Sequence, residues 1–259
     1  MTWALLAQNA LLVTGLMTLL WLFSVARRDA SIVDPWWSIA FLLVTFHTAA
    51  STGLTPPKVL LLAVVALWAL RLWVHLLSRS RGKPEDPRYA AFRQRYGPAR
   101  YWWVSFFQVF LLQAALVVVI SAPLQRAASA SPPDSIGATT VAGLLLFAVG
   151  FAIEAVADHQ LQRFRDDASQ RGRVLAEGLF RYSRHPNYFG EALLWWGFGL
   201  LALGQPYGWL CLLGPLAMTL LLLKVSGVGL LDAHLLQTKP AYREYMRRTS
   251  AFLLWPPKP

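Results

Sequence analysis

Residues 59–77 read VLLLAVVALWALRLWVHLL, with Arg71 and His75 the two ionisable side chains in an otherwise apolar run. At about 1.5 Å of rise per helical residue, a run of this length spans most of the roughly 30 Å hydrocarbon layer of a bilayer. Six more runs share its character, at about 4–23, 35–50, 102–122, 138–158, 188–203 and 207–232. A transmembrane β-barrel would instead alternate apolar and polar positions over short segments. The predicted fold is therefore all-α: a single polytopic membrane domain over residues 1–259 with seven transmembrane helices. The run at 4–23 has no basic segment before it and is followed by Arg27 and Arg28, so it reads as a retained span and not a cleaved signal peptide.

Composition agrees. Of 259 residues, 56% are hydrophobic and 14% charged, with a mean hydropathy of +0.44, against roughly 45–50% and about 25% in soluble domains. A soluble domain is excluded. The net charge of +11 comes from 24 Lys and Arg against 13 Asp and Glu. Twenty of those 24 fall in 24–34, 79–100, 159–187 and 233–259, which alternate with the remaining connections along the chain. The positive-inside bias then puts the N-terminus outside and the C-terminus in the cytoplasm, with loops 79–100 and 159–187 and tail 233–259 on the inner side. Basic residues scattered between apolar runs are no stripe for nucleic acid, so none is expected as a partner; anionic lipid and a phosphorylated ligand are. The single cysteine, Cys211, cannot form an intrachain disulfide or a multi-cysteine metal site, and no metal is expected. Residues 127–135, AASASPPDS, read as an outer loop.

Ionisable groups within or at the ends of the spans are expensive to place and so are the first functional candidates. They are Asp34, His47, Arg71, His75, Glu154, Asp158, Glu191, Lys224, Asp232 and His234. Arg71 and His75 share one helical face, as do Glu154, Asp158 and Arg165 on another. Lys224 and His47 read as structural. In SIVDPWWS, residues 31–38, Asp34 before Pro35 is either a helix cap or a carboxyl group kept protonated by its apolar aromatic setting, able to donate to a carbonyl. The arginines at 163, 165, 171, 173, 181 and 184 suit a dinucleotide's phosphates, although inner-side topology alone would also place arginines there. No glycine-rich strand-to-helix turn exists, so a Rossmann domain is absent and any nucleotide is held by membrane helices and their loops.

Residues 179–191, LFRYSRHPNYFGE, form a polar inner loop running into the sixth span. His185 and Pro186 end an extended stretch, Asn187 can cap the new helix, and Gly190 permits close backbone approach. Arg181, Tyr182, Arg184, His185 and Asn187 thereby cluster at a helix N-terminus, a natural seat for phosphate.

RHPNYFGE at 184–191 resembles the signature of integral-membrane steroid and sterol reductases, which are related to the isoprenylcysteine and phospholipid methyltransferases. With SIVDPWWS, RSRGKP at 79–84, and a tail carrying Tyr242, Tyr245 and a Trp-Pro-Pro segment at 255–257, the chain resembles the bacterial steroid 5α-reductase-like proteins of the DUF1295 family over about residues 30–256. The resemblance implies NADPH-dependent reduction of the C=C bond of a lipophilic enone, a Δ4-3-oxosteroid above all. The setting it implies is a monomer in a bacterial inner membrane, with membrane lipid around it and its active site opening to the cytoplasm. It implies Asp34 and Glu191 as the catalytic carboxyls and Trp37, Arg71 and His75 at the substrate. Around the cofactor it implies Lys83, Glu154, Asp158, Arg165, Arg173, Tyr182, Arg184, His185, Asn187, His234 and Tyr245. Val33, Ala69 and Gly172 stand where the reductases carry a glutamine and two tyrosines. An S-adenosylmethionine-dependent methyltransferase acting on a prenyl or phospholipid acceptor is the alternative, and a seven-span transporter or lipid receptor the second.

Overall fold

A computed structural model describes residues 2–130, 137–225 and 227–258. Among them all regular structure is helical, apart from a single backbone bridge between Ser183 and Ser250. The chain packs as two compact units, Met1–Asp134 and Ser135–Pro259.

In the first unit the long helices are α1 (Trp3–Arg27), α2 (Val33–Ser51) and α3 (Pro56–Ser80). Thr2 caps α1 by accepting from the Leu5 amide, and Arg28 ends it in the left-handed conformation with φ 54°. Two short helices follow, α4 (Pro87–Tyr96) and α5 (Pro98–Ser105), each begun by a proline whose missing N–H costs a first turn nothing. A wide turn at Phe106–Leu111 carries α5 into α6 (Leu112–Ile120), and α7 (Ala122–Ser129) closes the unit. The helical Ala122–Ser129 takes in the first part of the expected outer loop, and residues 131–135 of that loop lie outside the described residues. α2 packs on α3 through a ladder of rings, Trp37 on Phe41 at 4.9 Å and Phe41 on Trp68 at 5.9 Å. At the other end of α2, Asn9 donates to Thr48 Oγ1 and Gln125 Oε1, and His47 Nδ1 lies 2.7 Å from Asn9 Oδ1.

The second unit is built on α8 (Ala138–Asp166) and α9 (Pro186–Leu203). Their antiparallel seam is written in four glycines. A methyl group at Gly150 would stand 2.6 Å from the Gly190 carbonyl oxygen, and one at Gly143 would stand 2.8 Å from that of Gly197. The two contacts are a heptad apart on each helix, so both fall on one stripe and the backbones touch along it. Beyond α9 come a tight helical turn at Gly208–Leu212, α10 (Leu213–Leu220), a wide turn at Leu221–Val225, α11 (Val228–Thr238) and α12 (Tyr242–Arg248). The expected span 207–232 falls within Gly208–Thr238, which is long and apolar enough to cross a membrane, with its helical geometry interrupted at Gly227, at φ −115° and ψ −112°.

Among the described residues six helical stretches are long and apolar enough to cross a membrane. Pro186–Leu203, the expected span at 188–203, is not one of them. Its first turns carry Asn187 and Glu191, which lower its apolar content below that of the others.

Candidate functional site

The loop Gly178–Arg184 and the start of α9 form a polar knot in the second unit. His185 occupies the position before the first turn of α9, with Pro186 next, and Asn187, expected as a cap, instead donates from Nδ2 to Asp158 Oδ1 on α8 at 3.1 Å. Glu154, Asp158 and Glu191 are all buried. Glu191 Oε1 accepts from the Trp195 indole at 3.0 Å, one turn along α9. The glycine seam makes this possible, since the Glu154 backbone nitrogen would meet a methyl on Gly190 at 2.5 Å. Two acids of α8 and one of α9 are therefore drawn to the same seam as Asn187.

Asp232 on α11 organises the other side of the knot. Its Oδ2 accepts from Arg184 Nη2 at 2.7 Å, and its Oδ1 accepts from His185 Nε2 at 2.8 Å and from the Tyr242 hydroxyl. Arg184 Nη1 also donates to the Met246 and Thr249 carbonyls, at 3.1 and 3.0 Å. Tyr245 donates to the Phe180 carbonyl at 2.5 Å. Burial, joined by the negative charge of Asp232, pushes the Tyr242 phenol well up, and burial does the same for Tyr245 against the opposing pull of Arg184. The tail continues the lacing: Ser183 Oγ donates to the Phe252 carbonyl at 2.8 Å, and the Trp255 amide to the Tyr182 carbonyl at 3.0 Å. Arg184, His185 and Tyr245, expected at a cofactor, thus each hold part of the loop's own shape. Sequence reasoning flagged Asp232 as costly but gave it no place in the site, because its partners are remote in the chain.

Beside the knot, the cytoplasm-facing end expected for α8 borders a cleft of about 590 Å³, lined by Gln160, Arg163, Phe164, Arg173, Glu177 and Gly178 among others. That volume is in the range of small-molecule sites. Arg173 is on its wall; Arg165 and Tyr182 are exposed nearby in sequence but not among its lining residues, and His234 is exposed on α11. Gly178 turns at φ 59°, where Gln160 Oε1 accepts from the Leu179 amide at 3.0 Å and fills the space a side chain would need.

The first unit holds its own cluster. Asp34 lies inside the first turn of α2 and is not its cap. A preceding helical turn at Ala30–Ile32 is capped by Asp29, whose carboxylate accepts from the Ser31 amide at 2.9 Å. This leaves Asp34 for α4: Oδ2 accepts from Arg88 Nη2 at 2.7 Å and Oδ1 from the Tyr89 hydroxyl at 2.6 Å. The cap of this segment is thus Asp29, and Asp34 is bonded instead to a guanidinium and a phenol. Burial first, and then the Asp34 charge, push the Tyr89 phenol well above its ordinary range. Burial raises Asp86, but hydrogen bonds and charge from Arg88 outweigh it and hold that carboxyl low. Gln113 donates to the Tyr89 oxygen at 3.3 Å. Arg88 and Tyr89 went unnoticed in the sequence, where they look like ordinary members of a basic loop.

Of the expected substrate residues, Trp37 has its indole N–H buried with no acceptor among the described residues, and Arg71 and His75 are half-buried on α3. Lys83 is exposed just after a turn at Gly82. Ala69, in the place of a reductase tyrosine, is fully buried, and its carbonyl accepts from Ser38 Oγ at 2.9 Å.

Fold and polar inventory together define an all-helical membrane protein with buried carboxylates and a basic loop cleft. The chain belongs to the DUF1295 family, described as a protein of unknown function and steroid 5α-reductase-like, whose model matches residues 20–249. It is 29% identical over 206 residues to an uncharacterized protein of Schizosaccharomyces pombe, a match covering 70% of this chain and 60% of that one. It is 38% identical over 58 residues to 3-oxo-5-alpha-steroid 4-dehydrogenase 1 of Mus musculus, covering 22% of this chain and 23% of that enzyme. No solved structure matches.

Proposed function

We propose that the protein is an NADPH-dependent reductase of the C=C bond of a lipophilic enone, a Δ4-3-oxosteroid in the first instance. Its proposed setting is a bacterial inner membrane, crossed seven times with the N-terminus outside and the cofactor loops in the cytoplasm. The family, the mouse dehydrogenase stretch and the concentration of cations on one set of loops support this reading. One observation carries it: a single helix end, that of α8, supplies both the buried carboxylates Glu154 and Asp158 and a wall of the arginine cleft.

The donor set suits a dinucleotide. Arg163 and Arg173 offer guanidinium forks to phosphate, while Asp158 and Asn187 offer an acceptor and a donor to ribose or amide groups. Bound NADPH supplies a hydride for the enone β-carbon. Polarising the substrate carbonyl falls to a carboxyl group, Asp34 or Glu191. Asp34 is held by the Arg88 guanidinium and by the Tyr89 hydroxyl, which donates its one proton to it in a hydrogen bond. The buried Trp37 N–H, with no acceptor among the described residues, is a second donor suited to a carbonyl oxygen. Glu191, oriented by Trp195, remains the candidate acid of the second unit.

The test is to incubate detergent-purified protein with NADPH and a Δ4-3-oxosteroid and follow the product by mass spectrometry. A gain of two hydrogens, dependent on NADPH, is expected. No reduction, together with saturable binding of S-adenosylmethionine, would assign the chain to the methyltransferase branch instead.

A further inference from the structure

Against the wall of the cleft at the end of α8, though not itself one of its lining residues, lies a cation that no motif announces. Lys239 follows the last turn of α11, and its ammonium donates to the Arg173 carbonyl. The same ammonium lies 5.7 Å from the ring centroid of Phe164. Both partners line the cleft, so the Lys239 charge is delivered to its wall from a different element. Arg163 and Arg173 are already there, while Asp167 and Glu177 supply the opposing charge. Asp167 spends one carboxylate oxygen on the Ser169 amide and hydroxyl, at 2.9 and 2.7 Å, which fixes it in the loop's own turn. Burial, and then repulsion from Arg165, hold the Lys239 ammonium below its ordinary pKa. An anion beside a cation so crowded stabilises its charge, and an ammonium has three donors, of which the Arg173 carbonyl takes one.

We infer that Lys239, Arg163 and Arg173 form a phosphate subsite on this cleft, binding the phosphorylated adenosine end of a nucleotide, with Lys239 its anchoring cation. The inference rests on the reading of the protein as a dinucleotide enzyme, but it concerns phosphate alone. The ammonium binds as a point charge while the two guanidinium groups fork around the remaining oxygens.

The probe is adenosine 2′,5′-bisphosphate, which has the phosphates and no nicotinamide, titrated calorimetrically into wild type, Lys239→Gln and Lys239→Arg. Wild type is expected to bind. Lys239→Gln is expected to bind at least tenfold more weakly and with a shallower dependence of log Kd on log salt, and Lys239→Arg is expected to recover most of the affinity. A role confined to pinning the Arg173 carbonyl would lower the affinity without changing the salt slope, and would overturn the inference. So would absence of binding by wild type, or equal binding by all three. Adenosine without phosphate is the control, and Lys239 substitution is expected to leave its weak binding unchanged. If the bisphosphate result holds while NADPH-driven enone reduction is absent, the phosphate subsite stands and the assigned reaction falls.

Discussion

Arg184 and Asp232 stand 48 positions apart in the chain, yet their side chains meet at 2.7 Å in a largely buried ion pair. Removing the carboxylate strands both Arg184 and His185, and breaking a buried pair from one side costs about 3–5 kcal/mol. Asp232→Ala is expected to lower the melting temperature in detergent by several degrees and to weaken cofactor binding with it. An unchanged melting curve would mean that the knot is not holding the loop.

The glycine seam gives a sharper contrast. Gly190→Leu would drive a side chain into the Glu154 backbone, where even a methyl carbon would stand at 2.5 Å. The two helices must then separate, and folded protein is expected to be lost on size-exclusion chromatography. Gly15→Ala on α1 meets nothing within 4 Å and is expected to be neutral or to stabilise by up to about 1 kcal/mol, since alanine favours helix.

Tyr89→Phe keeps the ring and removes the proton. If the phenol positions Asp34 for the substrate, enone reduction falls at least tenfold in kcat/KM while NADPH affinity is unchanged. Equal losses in both quantities would point to a folding defect, and no loss would exclude Tyr89 from the chemistry.

The same phenol predicts a pH dependence of stability. Its folded pKa is raised well above 10.0 by burial and then by Asp34. A raised pKa contributes stability that is complete below the unfolded value and is lost as pH climbs from there through the folded value. Tyr242 and Tyr245 are shifted in the same direction. The melting temperature is therefore expected to fall steadily above about pH 10, and Tyr89→Phe should fall less steeply than wild type over the same interval. Parallel curves would mean that Tyr89 is not buried against a carboxylate.

The helices were legible because a span is a local property: some twenty apolar residues announce themselves whatever their partners. The break at Gly227 was not, since an apolar run reads the same whether or not its helix is interrupted. Within the site, residues 184–191 stood out because they are contiguous. Asp34 was correctly singled out as costly, but its environment came from Arg88 and Tyr89, 54 and 55 positions away, and no helical spacing connects them. Arg184 shows the same limit in a different way. A guanidinium beside a helix N-terminus suits phosphate equally well as a carboxylate, and only the fold reveals that Asp232 has taken it.

The lacing of the loop 178–184 to residues 250–255 also sets an order of events. A ribosome makes the loop roughly seventy residues before the strap that shapes it. During synthesis α8 and α9 can close their glycine seam on their own, but the carbonyls of Thr249, Ser250 and Phe252 do not yet exist to receive Arg184 and Ser183. This loop is therefore the last part of the second unit to mature, and a nascent chain stalled before residue 249 should carry its helices without a finished loop.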